Sequence, residues 1–139
     1  MNRSDARWVG IMAALLAVAC TQDVPEQARI QQVGYFKDSS NNRIFTLKLH
    51  AAATAAEARA AAEQLANTPG QMMAAYFYAP DAFVPDDAVT LGKDLVSVTD
   101  MLYDDPSLPA WRFVFIRNFN APPSFVDCVE APDKDLCRK

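Results

Sequence analysis

Acid–base or metal chemistry in this chain would have to come from its aspartates and its single histidine. Six of the aspartates form two clusters along the sequence: Asp81, Asp86 and Asp87, then Asp100, Asp104 and Asp105. Hard cations such as Ca²⁺ need about six oxygen ligands, and neither cluster has the spacing of a calcium-binding loop. We therefore expect no metal site and no cofactor, and we interpret both clusters as solvated acidic surface.

The second cluster also has a feature that points to a partner. Asp104 and Asp105 lie at the predicted carboxyl end of a helix, where a negative charge opposes the helix dipole by about 0.3–1 kcal/mol. Arg112 or Arg117 of the next strand would offset this charge, and so would a cationic group on a partner protein. The candidate partner-binding residues are Asp86, Asp87, Asp100, Asp104 and Asp105.

His50 is the only histidine and a candidate acid–base group. It follows a predicted strand on the polar side, where a histidine is usually just solvated. A Ser-His-Asp site would have to use it, and no Gly-x-Ser-x-Gly motif is present to supply the serine. We therefore assign no catalytic residue.

The first nineteen residues have the organisation of a secretory signal. Met1–Arg7 is weakly positive, and Trp8–Ala19 carries no charge but is shorter than the roughly 20 helical residues that span a bilayer core. Ala17 and Ala19 form the Ala-x-Ala pattern that signal peptidases accept. The sequence therefore predicts that residues 1–19 are a signal peptide.

The end of this leader, Leu16-Ala17-Val18-Ala19-Cys20, resembles the lipobox of bacterial lipoproteins. The resemblance implies that Cys20 receives a diacylglyceryl group, with palmitate-type acylation, and becomes the mature N-terminus of a membrane-anchored protein. Thr21 after the cysteine implies the periplasmic face of the outer membrane. Cleavage after Ala19, which would leave a free thiol on a secreted or periplasmic protein, stays open. The resemblance does not extend into the domain, whose family is not recognised.

Lipidation of Cys20 would leave Cys128 and Cys137 as a pair in an oxidising compartment. We expect a disulfide that closes the C-terminal tail. A metal site would need more ligands than these residues provide, and a redox pair would usually be Cys-x-x-Cys.

The formal net charge of the chain is −4, and removal of the leader, which contains two arginines and one aspartate, makes it more negative. Nucleic acids and anionic membrane surfaces bind basic faces, so this balance argues against both as partners. We expect a lipidated cysteine and short tether over residues 20–31 and a single domain over residues 32–139.

The pattern of apolar residues predicts five strands and two helices. The strands are expected at 32–36, 43–49, 71–78, 111–118 and 124–129, and the helices at 54–66, which begins with the capping box Thr54–Glu57, and at 93–103. The order β-β-α-β-α-β-β predicts an α+β fold, a small mainly antiparallel sheet with two helices on one face.

Three details of the strands are also predicted. Gly34 indicates a bulge or a close backbone approach in the first strand, and residues 71–78, apolar on both faces, indicate a central strand covered on both sides. Trp111, Phe113 and Phe115 are expected to share a face, as alternate residues of one strand.

The function favoured by the sequence is that of a non-enzymatic envelope lipoprotein whose domain faces the periplasm. It would bind another envelope component through the strand edges and through an acidic loop that is predicted at residues 81–87. The alternative is a soluble periplasmic hydrolase or small-ligand-binding protein that uses aspartate pairs or His50.

Overall fold

The computed structural model describes residues 30–138, and it has the predicted α+β fold. The chain forms five strands and three helices in the order β1 (Ile30–Lys37), β2 (Arg43–Leu49), α1 (Ala55–Gln64), β3 (Met73–Tyr78), α2 (Asp87–Thr90), α3 (Leu95–Asp104), β4 (Phe113–Arg117) and β5 (Ser124–Asp127). The short helix α2 is not among the predicted elements, and it begins at Asp87, the last residue of the predicted acidic loop. The order of the other elements is the predicted one.

The strands form one sheet in the order β1-β2-β3-β4-β5. Three neighbouring pairs are antiparallel, whereas β2 and β3 are parallel because α1 crosses over between them. The central strand β3 is buried along its whole length, as predicted from its apolar residues. The sheet therefore has a core on each face.

The helices lie on opposite faces of the sheet, which corrects the expectation that both lie on one face. Ala58 and Ala62 of α1 pack against the face that carries Phe45 and Phe77. The other core holds, from the helices, Val89 of α2 with Val98 and Leu102 of α3. Because β3 is apolar on both sides, each face of the sheet needs its own helical cover.

Helices α2 and α3, with the segment that leads into α2, form the α2–α3 cover of one sheet face. This cover approaches the sheet closely at Gly34. The register of β1 against β2 shifts between Gln32 and Gly34, so the predicted bulge is present. The buried Thr46 hydroxyl of β2 donates to the backbone carbonyl of Pro85. A Cβ at Gly34 would lie 2.5 Å from the Thr46 Oγ1 and 2.8 Å from the Pro85 carbonyl oxygen. Gly34 is therefore the place where the backbone of the cover passes close to the sheet.

Trp111 does not share a face with Phe113 and Phe115, so that prediction is wrong. Strand β4 begins only at Phe113, and the chain bends at Arg112. The bend turns the Trp111 side chain into the core beneath α3, whereas Phe113 and Phe115 belong to the core beneath α1. Strict alternation applies only within a regular strand.

Both long helices begin with a capping box. At α1 the Thr54 side chain accepts from the backbone N–H of Glu57, and the Glu57 carboxylate accepts from that of Thr54, as predicted. At α3 Asp94 and Ser97 make the equivalent exchange. Serine replaces the usual glutamate of the motif in α3, which hides this helix start in the sequence.

Candidate functional site

The predicted signal peptide, the lipidation site Cys20 and nearly all of the predicted tether lie outside the described residues. Gln31 and its neighbour Ile30 belong to β1, so the first strand starts two residues before the predicted one. Lipidation of Cys20 therefore stays a prediction from the sequence.

Asp86 and Asp87 begin the short helix α2, beside the edge strand β1. Both side chains are exposed, and the Thr90 hydroxyl donates to the Asp86 carboxylate at 3.5 Å. The same Thr90 oxygen accepts from the backbone N–H of Tyr35 at 3.2 Å. Helix α2 thereby satisfies one backbone group of the exposed sheet edge and holds the two aspartates toward solvent.

Asp100 and Asp104 are exposed on the outward side of α3, opposite the buried Val98 and Leu102. Asp105 ends the helix, and its carboxylate accepts from the backbone N–H and the hydroxyl of Ser107 at 2.8 and 2.6 Å. The bonds from Ser107, with a smaller contribution from the charge of Arg138, hold the pKa of Asp105 below its usual value. Asp105 thus has a structural role as well as a surface position.

The two arginines that were expected to offset the charge of the α3 end lie elsewhere. The guanidinium of Arg112 lies over the ring of Phe113 at 4.9 Å, and that of Arg117 over the ring of Phe115 at 5.9 Å. These rings belong to the sheet face beneath α1, whereas α3 covers the other face. Arg138 of the C-terminal tail lies near the α3 end instead. The order of the elements along the chain does not predict this position.

Large apolar side chains are exposed among these aspartates. Phe83, Leu91 and Val96 are 69%, 79% and 66% exposed. We call the exposed side chains of residues 81–105 the α2–α3 surface. Apolar periodicity predicts which residues could be buried, but only the packing of α2 and α3 shows that these three are left outside. The structure therefore adds apolar contacts to the predicted acidic ones.

His50 is exposed directly after β2, and its backbone carbonyl accepts from the N–H of Ala53 in the turn that leads to α1. Within residues 30–138, no three His, Cys, Asp or Glu side chains are grouped so that they could hold a metal ion. Among these residues the geometry therefore gives His50 no metal-binding role.

Four aromatic residues meet beneath α3: Tyr76, Tyr78 and Trp111, which are buried, and Tyr103, which is half-buried. The ring of Trp111 lies 4.6 Å from that of Tyr76, 4.9 Å from that of Tyr103 and 6.5 Å from that of Tyr78. The hydroxyls of Tyr76 and Tyr78 are buried with no partner at hydrogen-bonding distance among residues 30–138, although the Tyr103 hydroxyl lies close enough to that of Tyr76 to act on its pKa. Burial raises the pKa of both phenols. We call these four residues the aromatic cluster.

The C-terminal tail closes over this cluster. Cys128 and Cys137 are joined by a disulfide, with their Cα atoms 5.4 Å apart. The Leu136 carbonyl accepts from the indole N–H of Trp111 at 3.2 Å and from the Tyr103 hydroxyl at 3.4 Å. The disulfide therefore belongs to a loop that packs on the core.

No helix within residues 30–138 combines the length and the apolar character needed to cross a membrane. A comparison of the chain with protein families, curated proteins and solved structures finds no match.

Proposed function

We propose that this chain is a membrane-anchored envelope lipoprotein whose non-enzymatic domain binds another envelope protein through the α2–α3 surface. The anchor is the lipid on Cys20, and the domain faces the periplasm, at the outer membrane. Support for the anchor comes from the lipobox-like residues 16–20 and from the cysteines. With Cys128 and Cys137 joined to each other, Cys20 is left for another role.

The observation that carries the binding proposal is the composition of the α2–α3 surface. Residues 81–105 contain seven aspartates and one lysine, together with the exposed Phe83, Leu91 and Val96. Apolar side chains supply binding energy when a partner covers them, and charges of one sign select a partner of the opposite sign. The surface therefore suits a protein that presents Lys or Arg beside apolar side chains.

The same charge disfavours the other macromolecular partners. Anionic phospholipid headgroups and nucleic acids would be repelled by a surface with this excess of aspartates. In this proposal the lipid attaches the protein to the membrane, and the surface is left for a protein partner.

Photo-crosslinking in cells tests the surface directly. A photoreactive amino acid is placed at position 91 of the full chain, and at position 129 as the matched control, because Val129 is 65% exposed but lies in the tail. We expect a defined adduct with one envelope protein from position 91 and none from position 129. Asp86→Asn with Asp87→Asn should weaken the adduct.

Two results would overturn the proposal. Equal adducts from both positions would show that contact with the envelope is unspecific. No adduct from positions 83, 91 and 96 would remove the α2–α3 surface as the binding site.

A further inference from the structure

The C-terminal tail, Cys128–Arg138, is attached to the rest of the domain mainly at its two ends, and we call it the strap. At its start the backbone N–H of Cys128 donates to the Arg112 carbonyl at 2.8 Å. At its end Leu136 accepts the two hydrogen bonds from the aromatic cluster, and the Arg138 guanidinium donates to the carbonyls of Leu108 and Pro109. The disulfide joins the two ends.

Between these ends the strap is open to solvent. Five of its middle residues are exposed: Val129, Glu130, Pro132, Asp133 and Lys134, and so is Asp135 beside Leu136. The hydrogen bonds of the middle part stay close in sequence, from Ala131 to Asp127 and from Lys134 to Ala131. The strap is therefore held closed by Leu136, Arg138 and the disulfide.

Opening of the strap would expose the aromatic cluster, and its Trp111 N–H and Tyr103 hydroxyl would exchange the Leu136 carbonyl for water. Trp111 is 2% exposed, and the Tyr76 and Tyr78 hydroxyls have no partner within residues 30–138. The ring of Tyr78 lies 6.5 Å from that of Trp111, whose indole N–H is bonded to Leu136, so this phenol lies near the end of the strap. Water admitted at this place would satisfy a buried hydroxyl, which reduces the cost of opening.

We propose that the strap is a redox-dependent lid over the aromatic cluster. The closed disulfide holds Leu136 and Arg138 in their docking positions, and its reduction releases them while the sheet and helices stay folded. This inference rests on the periplasmic location of the proposed function, because an oxidising compartment would keep the lid shut. A dithiol protein or small dithiol reductant opens it.

The reduction is an ordinary thiol–disulfide exchange. A thiolate of the dithiol attacks the sulfur of Cys128, which is the less buried cysteine, and the bond between Cys128 and Cys137 breaks. Cys137 leaves as a thiolate and takes a proton. The second thiol of the reductant then attacks the mixed disulfide and releases Cys128. Two electrons pass to the cysteines, and the reductant becomes a cyclic disulfide.

The disulfide closes a loop with a sequence separation of nine residues. Loop-closure entropy for this length corresponds to a change of about 100-fold in the equilibrium between open and closed strap. The buried Cys137 side chain, the packing of Leu136, its two hydrogen bonds and those from Arg138 are then left to hold the reduced strap. We expect the reduced strap to be open for a measurable fraction of the time.

Quenching of tryptophan fluorescence by acrylamide tests the proposal. The full chain carries Trp8→Phe, so that Trp111 is its only tryptophan. After dithiothreitol exposes two thiols, the quenching constant of Trp111 should rise several-fold, with emission shifted to longer wavelength and far-ultraviolet circular dichroism retained. Unchanged quenching with both thiols free would overturn the proposal, as would loss of the circular dichroism signal.

Two variants identify the anchor of the strap. Arg138→Ala should increase the quenching of the reduced protein further, because it removes the bonds to Leu108 and Pro109. Asp133→Ala, in the exposed middle of the strap, is the matched control and should leave quenching unchanged. Equal effects of the two variants would contradict the assignment of Arg138 as an anchor.

Discussion

At the scale of single residues, the hydroxyls of Tyr76 and Tyr78 work against the stability of the domain. Each is buried without a hydrogen-bond partner among residues 30–138, and a buried polar group in that state costs about 1–3 kcal/mol. We predict that Tyr76→Phe and Tyr78→Phe each raise the free energy of unfolding by about 1 kcal/mol. Denaturant unfolding of the oxidised protein measures the change.

Tyr35→Phe is the matched control, because the Tyr35 hydroxyl does have a partner. It accepts from the Arg43 Nε at 3.2 Å. Its removal should lower the free energy of unfolding by about 0.5–1.5 kcal/mol. If Tyr76→Phe destabilised the domain as Tyr35→Phe does, the Tyr76 hydroxyl would have to be hydrogen-bonded after all.

The buried tyrosines, together with Tyr103, should make the free energy of unfolding depend on pH in the alkaline range. Burial raises the pKa of Tyr76, Tyr78 and Tyr103 above the value of about 10 for an unfolded chain. Their contribution is therefore fully present below about pH 10 and is lost as the pH rises toward the folded-state values. Unfolding measured from pH 8 to about 12 should show this loss, and it should be shallower when Tyr76 and Tyr78 are both phenylalanine. Identical slopes would contradict the assignment.

At the scale of elements, Gly34 decides whether the α2–α3 cover can lie on the sheet. A methyl group there would meet the Thr46 hydroxyl and the Pro85 carbonyl, and it would have to displace a backbone atom. We predict that Gly34→Ala lowers the free energy of unfolding by about 1–3 kcal/mol. It should also speed hydrogen exchange in residues 85–92.

Gly34→Ala could destabilise the domain through the clash itself or through loss of the bond between Thr46 and Pro85, and Thr46→Val separates these two causes. It removes the bond to Pro85 without adding a clash, so it should cost about 1–2 kcal/mol. Exchange in α1, on the opposite face, should stay unchanged in both variants. A Gly34→Ala protein as stable as the wild type would show that the contact at Gly34 is not restrictive.

The elements also show what the sequence could and could not predict. Helix α1 follows from local signals, because its capping box and its alanines lie within a few residues of one another. The face of the sheet on which each helix packs depends on how the chain connects the strands. No pattern within a few neighbouring residues predicts this connection. The bend at Arg112, which separates Trp111 from Phe113, likewise lies where the distant C-terminal tail bonds to both Trp111 and Arg112.

The candidate site was predictable to a similar extent. The aspartates of the α2–α3 surface could be found as charged clusters, and all of the predicted ones are exposed except Asp105, which is half-buried. The sequence could not show whether Asp104 and Asp105 pair with Arg112 or Arg117, because it does not show on which face of the sheet the arginines lie. In the structure they lie toward the face opposite α3. The exposure of Leu91 depends on tertiary packing around α2, which apolar periodicity does not describe.

At the scale of the whole molecule, the proposed function joins an N-terminal lipid to an acidic, partly apolar binding surface. The residues between Cys20 and Ile30 reach at most about 35 Å when fully extended, so an anchored domain would stay near its membrane. A partner in the same envelope would then be met at high local concentration, and even a modest surface would suffice. The proposed function therefore depends first on the lipid at Cys20.

Metabolic labelling with a fatty-acid analogue tests this claim most directly. Wild-type chain and Cys20→Ala are expressed in bacterial cells, and Cys128→Ser with Cys137→Ser serves as the control for labelling at the other cysteines. We predict that the wild type and the control carry the label and sediment with membranes, whereas Cys20→Ala carries none and leaves the membrane fraction. An unlabelled wild-type protein in the soluble fraction would contradict the account.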